Sequence, residues 1–199
     1  MEKVGEVIEA YTNRFEAQCY RLHESPALGS LVKTRDESVD IYGIVAAAET
    51  AGLDPSRRPT PRGEHEQSEE ALFAANPQLA KLLATRFTAL VVGHAGPGPS
   101  TQNSVRHYLP PRPARIHGFV YPCSDDEARE FAAAPDFLEL LVTARGDFPV
   151  DDAVAACLRR LAQLQTDPQA FLVRAGKQLA RLLGDDFPRL TSIVRRLKP

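Results

Sequence analysis

Over the first hundred or so residues, hydrophobic positions alternate with polar ones in short runs separated by turn residues. Val4-Gly-Glu-Val-Ile-Glu-Ala10 carries Val4 and Ile8 in phase, and Phe15, Ala17 and Cys19 point one way while Glu16 and Gln18 point the other. Ser25-Pro-Ala-Leu-Gly29 is a turn before a short strand over Ser30–Lys33, and Arg35-Asp-Glu-Ser38 is a polar hairpin tip. Val39 to Thr50 is apolar on both faces, and Gly43 within it predicts a bulge or a close backbone approach. A further strand is predicted over Phe87–His94, a strand or strand fragment over Val105–Leu109, and a last strand or buried segment over Ile116–Tyr121. Short strands at this spacing predict a small antiparallel barrel or sandwich.

Helical signals interrupt this pattern once and then replace it. Between about residues 66 and 83, Ser68 is placed to cap one short helix and Asn76-Pro77 to start a second. From residue 123 the period becomes helical. Ser124 and Glu127 form a capping box, and Phe137–Val142 is an apolar helical segment. Three further helices follow, striped by Val154, Cys157, Leu158, Leu161 and Leu164, then Phe171, Leu172, Ala175, Leu179, Leu182 and Leu183, then Leu190, Ile193, Val194 and Leu197. The expected architecture is α+β: a small antiparallel β-barrel or sandwich over residues 1–122 with inserted short helices, and a helical region over 123–199 ending in a three-helix bundle.

Composition is ordinary for a soluble globular chain, with 43% hydrophobic and 25% charged residues and a net charge of −2. The charge is unevenly placed: from Asp151 onward nine Lys/Arg face five Asp/Glu, leaving 15 basic against 21 acidic residues in the rest. Cys19, Cys123 and Cys157 are odd in number and widely spaced, which argues against a disulfide framework and for a reducing, cytoplasmic setting.

A search for chemistry finds none that holds. His23, His65, His94, His107 and His117 stand alone, and His117, between Ile116 and Gly118, reads as a buried hydrogen-bonding residue. No GK[ST] loop, nucleophile elbow or cysteine nucleophile motif is present. The pairs Asp125-Asp126, Asp151-Asp152 and Asp185-Asp186 sit at helix starts, where they complement the dipole. The expectation is therefore no enzyme, no metal and no cofactor.

Binding candidates remain. Arg57, Arg58 and Arg62, stiffened by Pro59 and Pro61, are suited to a phosphate or an acidic partner, or else to the neighbouring acidic run Glu64–Glu70. Arg112 and Arg115 lie in a proline segment suited to an aromatic groove in a partner, or to packing across the barrel mouth. Arg159, Arg160, Arg174, Lys177, Arg181, Arg189, Arg195 and Arg196 would track a nucleic-acid backbone if they shared one surface.

The order of Val4-Gly-Glu-Val-Ile, Phe15-Glu-Ala-Gln, Pro26-Ala-Leu-Gly-Ser-Leu-Val32, Tyr42-Gly-Ile-Val45 and Leu53-Asp-Pro-Ser-Arg-Arg-Pro59 resembles the HAS-barrel family, whose barrel is shared by HerA-type DNA translocases and rotary ATP synthase subunits. Stand-alone bacterial HAS-barrel proteins continue through a Leu-Pro-Pro-Arg-Pro-x-x-Ile-His segment, present here at Leu109–His117, and carry a helical tail in place of an ATPase domain. The resemblance implies a six-stranded barrel used for assembly and docking. In the translocases that barrel helps recruit the NurA nuclease in DNA-end processing. No Walker motif follows the barrel here, so only docking carries over, by fold-level analogy. The resulting expectation is a non-catalytic interaction protein that docks to such a translocase or nuclease, or self-associates. The alternative is a nucleic-acid-binding module using the basic C-terminal helices or the Arg57–Arg62 loop. Neither involves a membrane.

Overall fold

A computed structural model describes residues 2–54, 56, 58–96 and 105–197. Six strands form a closed antiparallel barrel: β1 (Gly5–Ala10), β2 (Arg14–Cys19), β3 (Leu31–Asp36), β4 (Val39–Gly52), β5 (Leu83–Ala95) and β6 (Phe119–Pro122). Their order around the barrel is β1-β2-β5-β4-β3-β6. The run β3-β4-β5 joins neighbours in sequence, and β2 returns to lie beside β5, which is a Greek-key path. Two short helices, α1 (Glu69–Ala75) and α2 (Leu79–Leu82), sit between β4 and β5. Five more follow the barrel: α3 (Asp125–Phe131), α4 (Phe137–Thr143), α5 (Val150–Gln163), α6 (Pro168–Leu183) and α7 (Phe187–Arg195). The α+β architecture matches the expectation from the hydrophobic pattern, the closed barrel decides between barrel and sandwich, and its six strands match the number the resemblance implied. No helix among the described residues is long and apolar enough to cross a membrane.

The barrel interior is filled by Val7, Phe15, Ala17, Val32, Ile41, Val45, Phe87, Ala89, Val91 and Val120. In β1 it is Val7 that is buried, with Ile8 outside it, and the ladder to β2 shifts register between Val7 and Glu9. β4 is apolar on both faces because it has two things to cover. Ile41 and Val45 face the barrel core, whereas Tyr42, Ile44 and Ala46 belong to a second cluster with the helices. Gly43 sits at a register shift, as expected; a Cβ there would lie 3.0 Å from the Phe15 ring.

Helices α4 and α5 pack on the outer face of β4 and β5. Their Phe137, Leu138, Leu141, Val154, Cys157, Leu158 and Leu161 share one apolar cluster with Leu31, Ile44, Leu90 and Val92. Gly29 makes the joint close: it has φ +77°, and a Cβ would come 2.3 Å from the Cys157 nitrogen. The Ser124–Glu127 capping box of α3 is fully formed.

Several local expectations are corrected. Val105–Leu109 is a fragment and not a full strand: Arg106 alone bridges to His94, and the proline run Pro110-Pro-Arg-Pro113 that follows offers no N–H at three of its four positions to extend the pairing. The last strand starts at Phe119, because Gly118 N–H donates to the Arg115 carbonyl in a turn that precedes it. β3 runs on to Asp36, so Arg35 and Asp36 lie in the strand and the tip narrows to Glu37-Ser38. Asn76 does not start the second helix. It ends α1, its side-chain amide donating to the Leu72 carbonyl, and α2 is a single turn entered from Gln78. On α7, Ile193 is buried but Val194 is exposed.

Candidate docking face

With α4 and α5 against β4 and β5, the side of the barrel formed by β1, the end of β2 and β6 lacks extensive helix packing. Alternation along β6 sends Val120 into the core and leaves Phe119 and Tyr121 outside. Phe119 is 43% exposed and Tyr20, just past β2, is 48% exposed. The Lys3 ammonium ties the two rings together, 3.9 Å from the Phe119 centroid and 5.1 Å from that of Tyr20. The Tyr20 hydroxyl donates to Glu6 Oε2 at 3.1 Å, and Glu6 Oε1 meets His117 Nδ1 at 2.5 Å. The His117 and Tyr20 bonds hold the Glu6 carboxyl below the usual carboxylate range.

His117 itself is not buried; its side chain is 81% exposed, and its backbone has φ +67°. A non-glycine residue in that region needs outside support. It has the Glu6 contact, and its N–H donates to the Val7 carbonyl at 2.9 Å. His117, Phe119 and Tyr121 line a groove of about 600 Å³ together with Lys33, Arg35 and Arg115.

The cations around this groove are already paired. Arg35 grips Asp40 with two bonds of 2.6 and 3.0 Å. Arg115 donates to Asp36 at 2.6 Å and to Glu37 at 2.8 Å, and Arg112 reaches the same two carboxylates at 3.1 and 2.8 Å. Lys33 pairs with Glu127 of α3. Aromatic centre and satisfied polar rim is the composition of a protein-binding surface. A phosphate would have to displace a carboxylate from each of these cations.

The sequence candidates fare differently. Arg57 lies outside the described residues. Arg58 and Arg62 are exposed, and among the described residues neither pairs with the Glu64–Glu70 run. Arg112 and Arg115 are held by the chain itself, and Ala114 between them is buried in the barrel core, so this segment straps across the barrel end. The basic C-terminal set does not form one free surface. Arg159 donates to the Arg196 carbonyl, Arg160 to that of Leu28, Arg189 to Asp151 and the Val142 carbonyl, and Arg196 to Asp152. Arg174, Lys177 and Arg181 remain as an exposed stripe on α6, with Arg195 exposed on α7.

The thiols are poorly placed for chemistry. Burial pushes Cys19 up to about 11 and both Cys123 and Cys157 up to about 12. Among the described residues no group of three His, Cys, Asp or Glu is arranged to hold a metal. Sequence reasoning missed Tyr20, Phe119 and Glu6. The alternation Phe119-Val-Tyr121 was the available signal for the aromatics, whereas the Glu6–His117 contact joins residues far apart in the chain. No protein-family model matches this chain, and none of the curated proteins matches it in sequence.

Proposed function

We propose that the protein is a non-catalytic docking module, its HAS-type barrel attaching to a HerA-type DNA translocase or an associated nuclease in DNA processing. The observation that carries this reading is the aromatic face around Tyr20 and Phe119, which lacks extensive helix packing and is rimmed by charges that are already paired. Exposed aromatic side chains in such a setting are the usual energetic centre of an interface.

The test is capture of partners from native lysate, with and without nuclease treatment, identified by mass spectrometry and repeated with Tyr20→Ala/Phe119→Ala. A translocase or repair nuclease retained after treatment and lost with the double variant supports the reading. Each truncation should cost about 1–2 kcal/mol of binding, roughly tenfold in affinity. Retention by the double variant would remove this face as the docking site.

One observation favours a second reading, nucleic-acid binding. Arg174, Lys177 and Arg181 stand three and four residues apart on the exposed face of α6. Three or four phosphate contacts would give a logarithmic salt slope of about −3. No binding to duplex or single-stranded DNA at low salt would eliminate it.

A further inference from the structure

The β4–β5 ladder runs on from Ala47↔Thr88 to Gly52↔Leu83; β2 leaves β5 after Arg86, so from Thr50↔Thr85 outward the two strands stand as a two-stranded arm. The outer edge of β4 is covered by β3 only as far as Ile44, and the last bonds on that side join Val45 to Gly29 and Ser30. Beyond them the edge is open: residues 48–51 are all exposed, and among the described residues no backbone hydrogen bond reaches it.

The ladder fixes which groups face outward. Leu53 N–H donates to the Leu82 carbonyl at 2.9 Å, toward β5. In an antiparallel ladder alternate residues bond the same neighbour, so Ala51 and Glu49 also turn toward β5. Ala48, Thr50 and Gly52 therefore turn their N–H and C=O groups away from it. Proteins normally defend such an edge with Lys, Pro or a covering loop. Here the residues from Ala47 to Gly52 are small apart from Glu49, and include neither Lys nor Pro.

We propose that this edge pairs with the same edge of a second copy, antiparallel about a two-fold axis at Thr50. In that register Ala48 faces Gly52 of the other copy, Glu49 faces Ala51, and outward N–H and C=O groups meet their complements over about 17 Å. A slip that set Glu49 against Glu49 would still bring outward groups together, Ala48 against Thr50, but would oppose like charges directly across the seam.

Charge selects the same occupant. A groove of about 300 Å³ at the base of the arm is lined by Ala47, Ala48, Glu16, Glu49, Asp147 and Arg86. Its three carboxylates outnumber its one guanidinium, and none is in an ion pair among the described residues. Antiparallel pairing directs the chain that leaves Gly52 of one copy toward this groove on the other. That chain carries Arg58 and Arg62, exposed and without ion pairs among the described residues.

The full chain tests this by sedimentation across low to high micromolar concentration, with a concentration-dependent dimer expected. Thr50→Cys should give a disulfide-linked dimer under mild oxidation, because directly opposed hydrogen-bonded Cα atoms lie about 5.5 Å apart. Ala48→Pro removes an outward N–H while sparing the β4–β5 ladder, and should weaken the dimer at least about tenfold. Glu16→Lys/Asp147→Lys should weaken it several-fold, and adding Arg58→Glu/Arg62→Glu should restore it even if Ala48→Pro fails to fold. Tyr20→Ala/Phe119→Ala should leave it unchanged, which separates this inference from the docking face. A wild-type monomer at high micromolar concentration overturns the proposal. So does a dimer that neither cross-links through Thr50→Cys nor responds to the charge reversals.

Discussion

His107 packs edge-on to the Phe131 ring at 4.8 Å and near Phe137 at 5.9 Å, with its Nδ1 buried and unpartnered. Burial lowers its pKa from 6.5, with the Val92 backbone and Asp136 pulling partly the other way. The folded form therefore stays neutral at a pH where the unfolded chain takes up a proton. Stability contributed by this neutral histidine is whole above about pH 6.5 and drains away as pH falls below it, until the folded form protonates too. Denaturant unfolding at a series of pH values should show that loss, and His107→Phe should flatten it below about pH 6.5. An unchanged slope in the variant would exclude His107 as the source. Gly29 makes an independent point: Gly29→Ala demands a positive φ of an L-residue and a clash with Cys157, and should cost about 2–5 kcal/mol by denaturant titration. The turn around Gly29 was readable from Pro26 and Gly29, but its partner 128 residues later was not, because no local pattern encodes a tertiary contact. His117 failed for a related reason. Its neighbours look like strand residues, while its conformation follows from the turn at Arg115–Gly118 and from Glu6 in another strand.

Among the elements, the strap from Leu109 to Arg115 is held at its end by one largely buried carboxylate. Asp36, with 7% of its side chain exposed, receives both Arg112 and Arg115. Asp36→Asn keeps the shape and removes the charge that makes these bonds strong. The expected result is faster tryptic cleavage after Arg115, with cleavage after Arg112 blocked by Pro113 in any case; an unchanged rate would show that Glu37 and the buried Ala114 hold the strap without the Asp36 charge. β1, β2, β4 and β5 were legible because alternation or a long two-sided apolar run marked them, with β1 misread only in which residue faces inward. β6 was harder. It is four residues long, follows a polyproline stretch, and takes its place from pairing with β1 and β3 rather than from its own pattern. The same limit applies to Val105–Leu109, whose apolar residues are drawn into the helix-side cluster and the barrel end instead of a ladder.

Across the whole molecule, the change from strands to helices near residue 123 is a change of secondary structure but not of core. Leu31, Tyr42, Ile44, Leu90 and Val92 point out of the barrel into a cluster completed by α3 to α7, and the Tyr42 and Phe131 rings stand 5.4 Å apart. Exposing these five side chains would forfeit about 10 kcal/mol at about 1.5–3 kcal/mol each. That is on the order of the net stability of a whole domain, about 5–15 kcal/mol. A chain ending at Pro122 should therefore aggregate or bind a hydrophobic dye instead of folding as an isolated barrel, and the full chain should unfold in one cooperative transition. Calorimetry with two resolved transitions, or a soluble, well-folded barrel fragment, would contradict this. The two-sided hydrophobicity of β4 already carried the message, since a strand covered on only one face would alternate along its whole length. The helices are thus a structural second layer over β3, β4 and β5, whereas among the described residues the opposite wall of the barrel and the edge of β4 beyond Val45 lie outside that layer.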